Sequence, residues 1–261
     1  MNPRSLVIDV GNTHTVIGIY SEGRLACSWR LATERTRTED EHFGLLSGLL
    51  AGAGESPKGF DICALASVVP DLTRSFTHMV EKYFHCPLVV INGNTELGLR
   101  YPVSDHSHVG ADLVVNAYAA WRKYQRPCIV CDFGTATTVQ LVGADGFFHG
   151  VAIIPGVITS SSRLFERAAL LTNVQLTPPE HLLGTTTRDA LLSGILTGNA
   201  LMMDGFVERI RAQYADLGEI YAIGTGGIAP VVCGLCRHID CVDKTLTLDG
   251  LYLICQHFTA A

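Results

Sequence analysis

Positive charge is scarce in this chain. Nineteen Lys and Arg residues face 25 Asp and Glu, giving a net charge of −6, and no lysine- or arginine-rich block occurs. That argues against a nucleic acid or an anionic membrane surface as the main partner. An anionic ligand must therefore be held locally, by turns, helix starts or a metal. No run of about 18 uninterrupted apolar residues is present, so no transmembrane helix is expected. The opening Met1-Asn2-Pro3-Arg4 carries one cation and leads straight into Leu6-Val7-Ile8, which does not read as a secretory signal, and the expected compartment is the cytosol. Two common nucleotide signatures are also missing. Without G-x-x-x-x-G-K-[ST] the chain is not a P-loop enzyme, and without G-x-G-x-x-G opening a helix a Rossmann fold is not expected.

What is present suits a core-rich protein of two domains: 261 residues, 48% hydrophobic and 17% charged. Nine cysteines are many, but the number is odd, and a disulfide framework is not expected in the cytosol. Most should be small buried hydrophobes.

The sequence repeats itself. Asp9-Val10-Gly11-Asn12-Thr13-His14-Thr15 returns in altered form as Asp132-Phe133-Gly134-Thr135-Ala136-Thr137-Thr138, at an offset of 123 residues (Asp9 to Asp132). The same offset carries Val16 onto Val139 and Gly23 onto Gly146. Each copy reads apolar strand, Asp-x-Gly turn, hydroxyl-rich strand, hairpin turn, third strand. In the first copy the strands fall at residues 5–9, 16–20 and 25–31. Thr38 with Glu41 then forms a capping box, and strands at 62–69 and 88–92 alternate with helices at 70–84 and 111–123. After a polar boundary at 122–127 the plan restarts with strands at 128–132, 137–142 and 148–154. Helices are expected near 157–171, 188–214, 229–237 and 250–258, with a strand at 219–223. The class is α/β, with two related domains.

The repeated turns have a chemistry. Glycine allows a positive φ and a close backbone approach to a ligand. Successive turn amides form an anion nest, and Asn and Thr add neutral donors. The strand-end Asp stands where a magnesium ion could be held. Phosphoryl transfer needs mainly positioning and charge neutralisation, and such turns supply both. A single copy would pass for an ordinary hairpin. Two copies in register, followed by Gly224-Thr225-Gly226-Gly227 after a later strand, point to a nucleotide triphosphate. The late glycine run leaves room for a ring and ribose against the backbone.

Taken in order, Asp9-Val10-Gly11-Asn12-Thr13, Gly110-Ala111-Asp112, Asp132-Phe133-Gly134-Thr135-Ala136-Thr137-Thr138, Pro155-Gly156, Gly224-Thr225-Gly226-Gly227 and Leu246-Thr247-Leu248-Asp249-Gly250-Leu251 carry a family resemblance. The chain resembles the type III pantothenate kinases, of the acetate kinase/sugar kinase/Hsp70/actin superfamily. The resemblance implies two duplicated ribonuclease H-like (actin-like ATPase) domains, at 1–121 and 122–261, with ATP in an interdomain cleft. It implies ATP-dependent phosphorylation of the pantothenate 4′-hydroxyl, the first step of coenzyme A synthesis. Magnesium, a monovalent cation (potassium or ammonium) and a homodimer come with it. By motif, the ATP-binding residues would be Asp9, Val10, Gly11, Asn12, Thr13, His14, Thr15, Val16, Thr135, Gly226 and Gly227. Asp9 would serve the magnesium and Asp132 the monovalent cation. Asp112 would accept the proton, and Val103, Gly110, Ala111, Asp112, Leu113 and Thr187 would line the pantothenate site.

Three positions depart from the family pattern. Leu113 stands where an arginine follows the Asp, and a leucine cannot replace its charge-assisted hydrogen bonds. Val103 stands where a tyrosine is usual. Gly184-Thr185-Thr186-Thr187 replaces Gly-Lys-Asn-Thr. These leave two alternatives open: a kinase of a different small hydroxyl metabolite, and an ATP-binding regulatory protein without catalysis.

The remaining candidates have plainer readings. Asp112 would also serve as a helix N-cap. Cys128 and Cys131 lie three apart on a strand, so their side chains face opposite ways. Cys233, Cys236, His238 and Cys241 have a spacing that zinc accepts, but no second C-x-x-C pair flanks them, and plain thiols are expected. His106 and His108 read as solvated loop histidines, and Arg122 and Lys123 as cations at a helix C-terminus.

Overall fold

Two five-stranded sheets with the same strand order organise the chain. The computed structural model describes residues 2–161 and 176–260. In the first sheet the order is β3-β2-β1-β4-β5, formed by β1 (Ser5–Val10), β2 (His14–Ser21), β3 (Arg24–Ala32), β4 (Ile62–Ser67) and β5 (Leu88–Ile91). In the second it is β8-β7-β6-β9-β10, formed by β6 (Cys128–Phe133), β7 (Ala136–Val142), β8 (Phe148–Pro155), β9 (Tyr221–Thr225) and β10 (Cys241–Val242). In each, three antiparallel strands are followed by two parallel ones. The central strands β1, β4 and β6 are almost wholly buried, and their Val-, Ile-, Leu- and Cys-rich runs fit strands covered on both faces.

The 123-residue offset holds for the first and third strands of each meander but not for the second. Asp9 pairs with Val16, whereas Asp132 pairs with Thr138. The second copy closes its first turn one residue sooner: Gly11 N–H donates to the His14 carbonyl, and Gly134 N–H to that of Ala136. A bulge lies at Ile19/Tyr20 in β2 and at Leu141/Val142 in β7, an offset of 122 (Ile19 to Leu141). The next turn, around Gly146, is one residue longer than the one around Gly23, and both glycines have positive φ, +76° and +82°. The offset is thereby restored in β8. Thr137, not Thr138, is thus the structural counterpart of Thr15.

The helices follow local signals. α1 (Glu39–Gly52) starts at the expected capping box, with Thr38 N–H donating to the Glu41 carboxylate at 2.8 Å. α2 (Pro70–Met79) has proline in its first turn, where the missing N–H costs nothing, and ends in a π turn at Val80–Phe84. α3 (Ala111–Tyr124) is largely buried, as its run of Val and Ala requires. Residues 157–161 are helical, and 162–171 of the helix expected there lie outside the described residues. α4 (Thr187–Leu192), a π turn at Ser193–Thr197 and α5 (Gly198–Gln213) run as one helical stretch. α6 (Ala229–Cys233) is shorter than expected, and α7 (Leu246–Ala260) starts four residues earlier than 250.

The chain divides into residues Met1–Arg122 with Leu246–Ala261, and residues Lys123–Thr245. The sequence reading gave all of 122–261 to a second domain. The final helix α7 instead packs on β1, β2 and β4 of the first unit. Leu248, Leu251, Ile254 and Cys255 join Val7, Ala64, Val115 and Tyr118 in that core. Gly250 makes the approach close: a Cβ there would stand 2.8 Å from Val115 and 2.9 Å from Ala119. A separate cluster on the other face of the first sheet includes Ile8, Leu46, Leu65 and Phe76. The second unit has its own core, from Ile129 and Leu141 to Leu196, Met203 and Val232.

Candidate active site

In the first unit, β1 delivers Asp9 to the sheet end and turns at Gly11-Asn12-Thr13. Asp9 is half-buried and Asn12, Thr13 and His14 are exposed, so polar atoms of the turn face solvent. The turn is held from the end of β3. Thr33 N–H donates to the Thr13 carbonyl at 3.0 Å, and the Thr33 hydroxyl donates to the Gly11 carbonyl at 2.8 Å and lies 3.0 Å from the Thr15 hydroxyl. Two residues on, Arg35 Nη2 donates to Asn12 Oδ1 at 3.0 Å. Sequence reading missed Arg35. The signal was available: an antiparallel β3 must return its C-terminal end to the turn from which β2 began. His14 has its pKa lowered by partial burial and by the nearby Arg30 charge.

The second unit packs its matching turn differently. Gly156 occupies the place of Thr33, 123 residues on, and a Cβ there would collide with the Gly134 and Thr135 carbonyls. The Thr137 hydroxyl, counterpart of the paired Thr15 hydroxyl, is buried without a hydrogen-bond partner. The Thr159 hydroxyl donates to the Thr135 carbonyl at 3.0 Å. The structure brings the late glycine run to this turn. Gly226, with φ +95°, would place a Cβ 2.5 Å from Asp132 Oδ1 and 2.7 Å from the Phe133 backbone. Asp132, Gly134, Thr135 and Gly226 therefore form one cradle, and no side chain fits at Gly226.

The acceptor candidates in the first unit lie at the start of α3. Gly110, not Asp112, precedes the helix, and the Val114 N–H donates to its carbonyl at 3.1 Å. Asp112 sits in the first turn, and its Oδ1 accepts from the Leu113 N–H at 2.9 Å. Burial raises its carboxyl pKa above the ordinary value, more than the backbone hydrogen bonds lower it. A raised carboxylate is a better base than the unperturbed one the sequence suggested. Gly110 and Ala111 flank it. Leu113 is 7% exposed and lies in the protein interior, while Val103 is 51% exposed. In the second unit, Thr187 is exposed at the first turn of α4, which Thr186 caps by accepting from the Asp189 N–H at 3.2 Å. Gly184 lies so close to Asp189 and Ala190 that a side chain would collide with their backbone.

Two bland readings are modified. His106 is not simply solvated: it stacks on Tyr101 at 4.5 Å, and its Nδ1 is buried without a hydrogen-bond partner. Lys123 does more than end a helix, since its Nζ lies 2.7 Å from Asp243 Oδ2, which also accepts from the Tyr124 hydroxyl at 2.9 Å. Among the described residues no group of three or more His, Cys, Asp and Glu has a metal-holding arrangement, so Cys233, Cys236, His238 and Cys241 do not form a zinc site there.

Comparison with known proteins gives a consistent result. The profile of the family described as type III pantothenate kinase matches residues 5–209. A type III pantothenate kinase of Roseiflexus sp. (strain RS-1) is 40% identical over 249 residues, covering 95% of this chain and 97% of that protein. One of Halalkalibacterium halodurans is 41% identical over 249 residues, with the same two coverages, 95% and 97%. Among solved structures, the ethanolamine utilization protein EutJ of Carboxydothermus hydrogenoformans superposes with a TM-score of 0.54 at 14% identity, covering 96% of this chain and 89% of that one. Component A of the (R)-2-hydroxyglutaryl-CoA dehydratase of Acidaminococcus fermentans gives 0.50 at 15% identity, covering 96% and 95%. At those identities the likeness concerns the fold, that of the actin-like ATPases and sugar kinases.

Proposed function

The chain belongs to the type III pantothenate kinase family, and from that membership we infer that it is a pantothenate kinase, transferring phosphate from ATP to pantothenate in coenzyme A biosynthesis. The observation that carries this reading is identity of about 40% maintained over 95% of the chain. A coupled assay with ATP, magnesium, ammonium and pantothenate tests it. Turnover above an Asp112→Ala control is expected, and none above that control overturns it.

The roles of individual residues are part of the proposal. The turn from Asp9 to Val16 binds the ATP phosphates, and the solvent exposure of Asn12, Thr13 and His14 supports that. Within the second unit, Asp132, Thr135, Gly226 and Gly227 serve nucleotide binding, supported by the close packing of the cradle. Asp112 accepts the proton of the acceptor hydroxyl and orients it, supported by its burial. In a loose phosphoryl transfer that proton leaves late, so orientation matters most. Gly110, Ala111 and Thr187 contact pantothenate.

Carboxylate oxygens are the hard donors that magnesium takes. Asp9, half-buried at a strand end, fits that ion, which neutralises triphosphate charge when bound. Asp132 would hold the monovalent cation.

A homodimer is proposed from an apolar surface of the second unit. The helical stretch Thr187–Gln213 has mean hydropathy 1.4 over its most apolar window, of which 44% is buried. It is the one helix among the described residues long and apolar enough to cross a membrane. Its inner side, including Leu192, Leu196 and Met203, enters the core of the second unit, as expected of a core helix. Outside, Leu201 is 58% exposed beside a groove of about 330 Å³ that Leu182 and Leu183 also line. A second copy covering this face would remove apolar surface from water. Light scattering on the Leu201→Glu variant checks it. The family is one of soluble metabolic enzymes, and the cytosol is the proposed compartment.

A further inference from the structure

We propose that Arg35 is a triphosphate-binding residue that completes the first phosphate turn; this rests on the reading of Asp9 to Val16 as that turn. The turn itself has neutral donors and one carboxylate, so it has no lysine or arginine of its own to set beside the metal against the nucleotide's charge. The chain as a whole is acidic, at −6, and cannot supply one diffusely. Arg35 is exposed, and its guanidinium reaches Asn12 Oδ1 at 3.0 Å. Among the described residues no carboxylate lies within ion-pair distance of it.

The placement is not a chance excursion of a surface side chain. Thr33 pins the segment to the turn by three contacts, to the Thr13 carbonyl, the Gly11 carbonyl and the Thr15 hydroxyl. Two residues further along, the backbone has little freedom to carry Arg35 away. The duplicated unit provides an internal comparison. There Gly156 replaces Thr33, and Ile158, 123 residues on from Arg35 and 58% exposed, lies in a helical segment instead of a turn. Planar, always charged and with five donors, a guanidinium suits phosphoryl oxygens better than an amide alone.

The test measures ATP by calorimetry and by steady-state kinetics on full-length Arg35→Ala, Arg35→Lys and Asp9→Asn. Loss of a charge-assisted contact predicts a rise of about ten- to a hundredfold in the ATP Kd and KM for Arg35→Ala. The KM for pantothenate should stay within about twofold, and Arg35→Lys should recover part of the affinity as a point charge. An Arg35→Ala protein that binds ATP within about twofold of wild type, while Asp9→Asn is impaired, overturns the role of Arg35 and leaves the turn in place. If neither variant affects ATP, the reading of the turn itself fails, and this proposal with it. An equal rise for pantothenate and ATP would mark a general disturbance and also count against it.

Discussion

The carboxylate of Asp132 lies against the backbone of Gly226, with no room between them for a methyl group. A Cβ on the glycine would be 2.5 Å from Oδ1 and 2.7 Å from the Phe133 backbone, at a φ of +95° that alanine rarely adopts. Sequence separates the two residues widely, and pairing of β6 with β9 puts Asp132 opposite Thr225. Strand order, rather than any local motif, assembles this part of the site.

Gly226→Ala should therefore combine strain with collision. A left-handed alanine alone costs about 1–2 kcal/mol, and the displaced Asp132 should weaken ATP. A lower thermal midpoint together with a raised ATP KM is expected. The comparison variant is Gly48→Ala, an exposed mid-helix glycine of α1 with nothing within 4 Å of its Cβ position. It should gain about 1 kcal/mol from helix propensity and leave ATP kinetics unchanged. Thermal melts and kinetics on both proteins check the pair.

Asp112→Asn should separate stability from activity. Burial raises this carboxyl above its ordinary value. The folded state then binds the proton more tightly than the unfolded chain. The resulting contribution to stability is full below the unfolded pKa and is lost as pH rises through the folded one. At pH 7 the ionised Asp is thus a cost that Asn removes. Turnover should fall by about 10²–10⁴-fold, as for loss of a positioned base, while the thermal midpoint at pH 7 rises. In the wild type, the acid limb of kcat should lie above the usual carboxylate range.

Much of the fold was legible because its signals are local. The Thr38 capping box, Pro70 at a helix start and the alternation of strand and helix all appeared where expected. The repeat was legible too, although its single offset concealed compensating changes of one residue in the two turns. The pairing of Asp132 with Thr138 reveals them. Long-range packing was not legible. Nothing in residues 246–261 tells which sheet α7 covers, because its apolar face would suit either core. Arg35 escaped for a similar reason: its role depends on the register of β3, and its neighbours in sequence carry no motif.

Lys123→Met should destabilise the second unit in a pH-dependent way. Burial alone would raise the Asp243 carboxyl, but hydrogen bonds from Lys123 and Tyr124, with the lysine charge, hold it below its ordinary value. A depressed carboxyl contributes stability above its unfolded pKa and loses it as pH falls through the folded pKa. Removing the ammonium from a carboxylate whose side chain is 8% exposed should cost about 1–3 kcal/mol at pH 7. The gap between variant and wild type should shrink toward acid pH. Urea titrations at pH 7 and below pH 4 measure it.

Leu251→Ala tests the assignment of α7. Leu251 is fully buried with Val7, Ala64 and Val115, all from residues before 122. Truncating a buried leucine costs about 2–5 kcal/mol, the range reflecting how far the cavity collapses. Since α7 belongs to the core of the first unit, that cost should fall on its strands. Hydrogen exchange should show faster exchange of β1 and β4 amides in the variant, with β6 and β9 unaffected. Faster exchange confined to β6 and β9 would instead place the helix with the second sheet, as its position in sequence suggested.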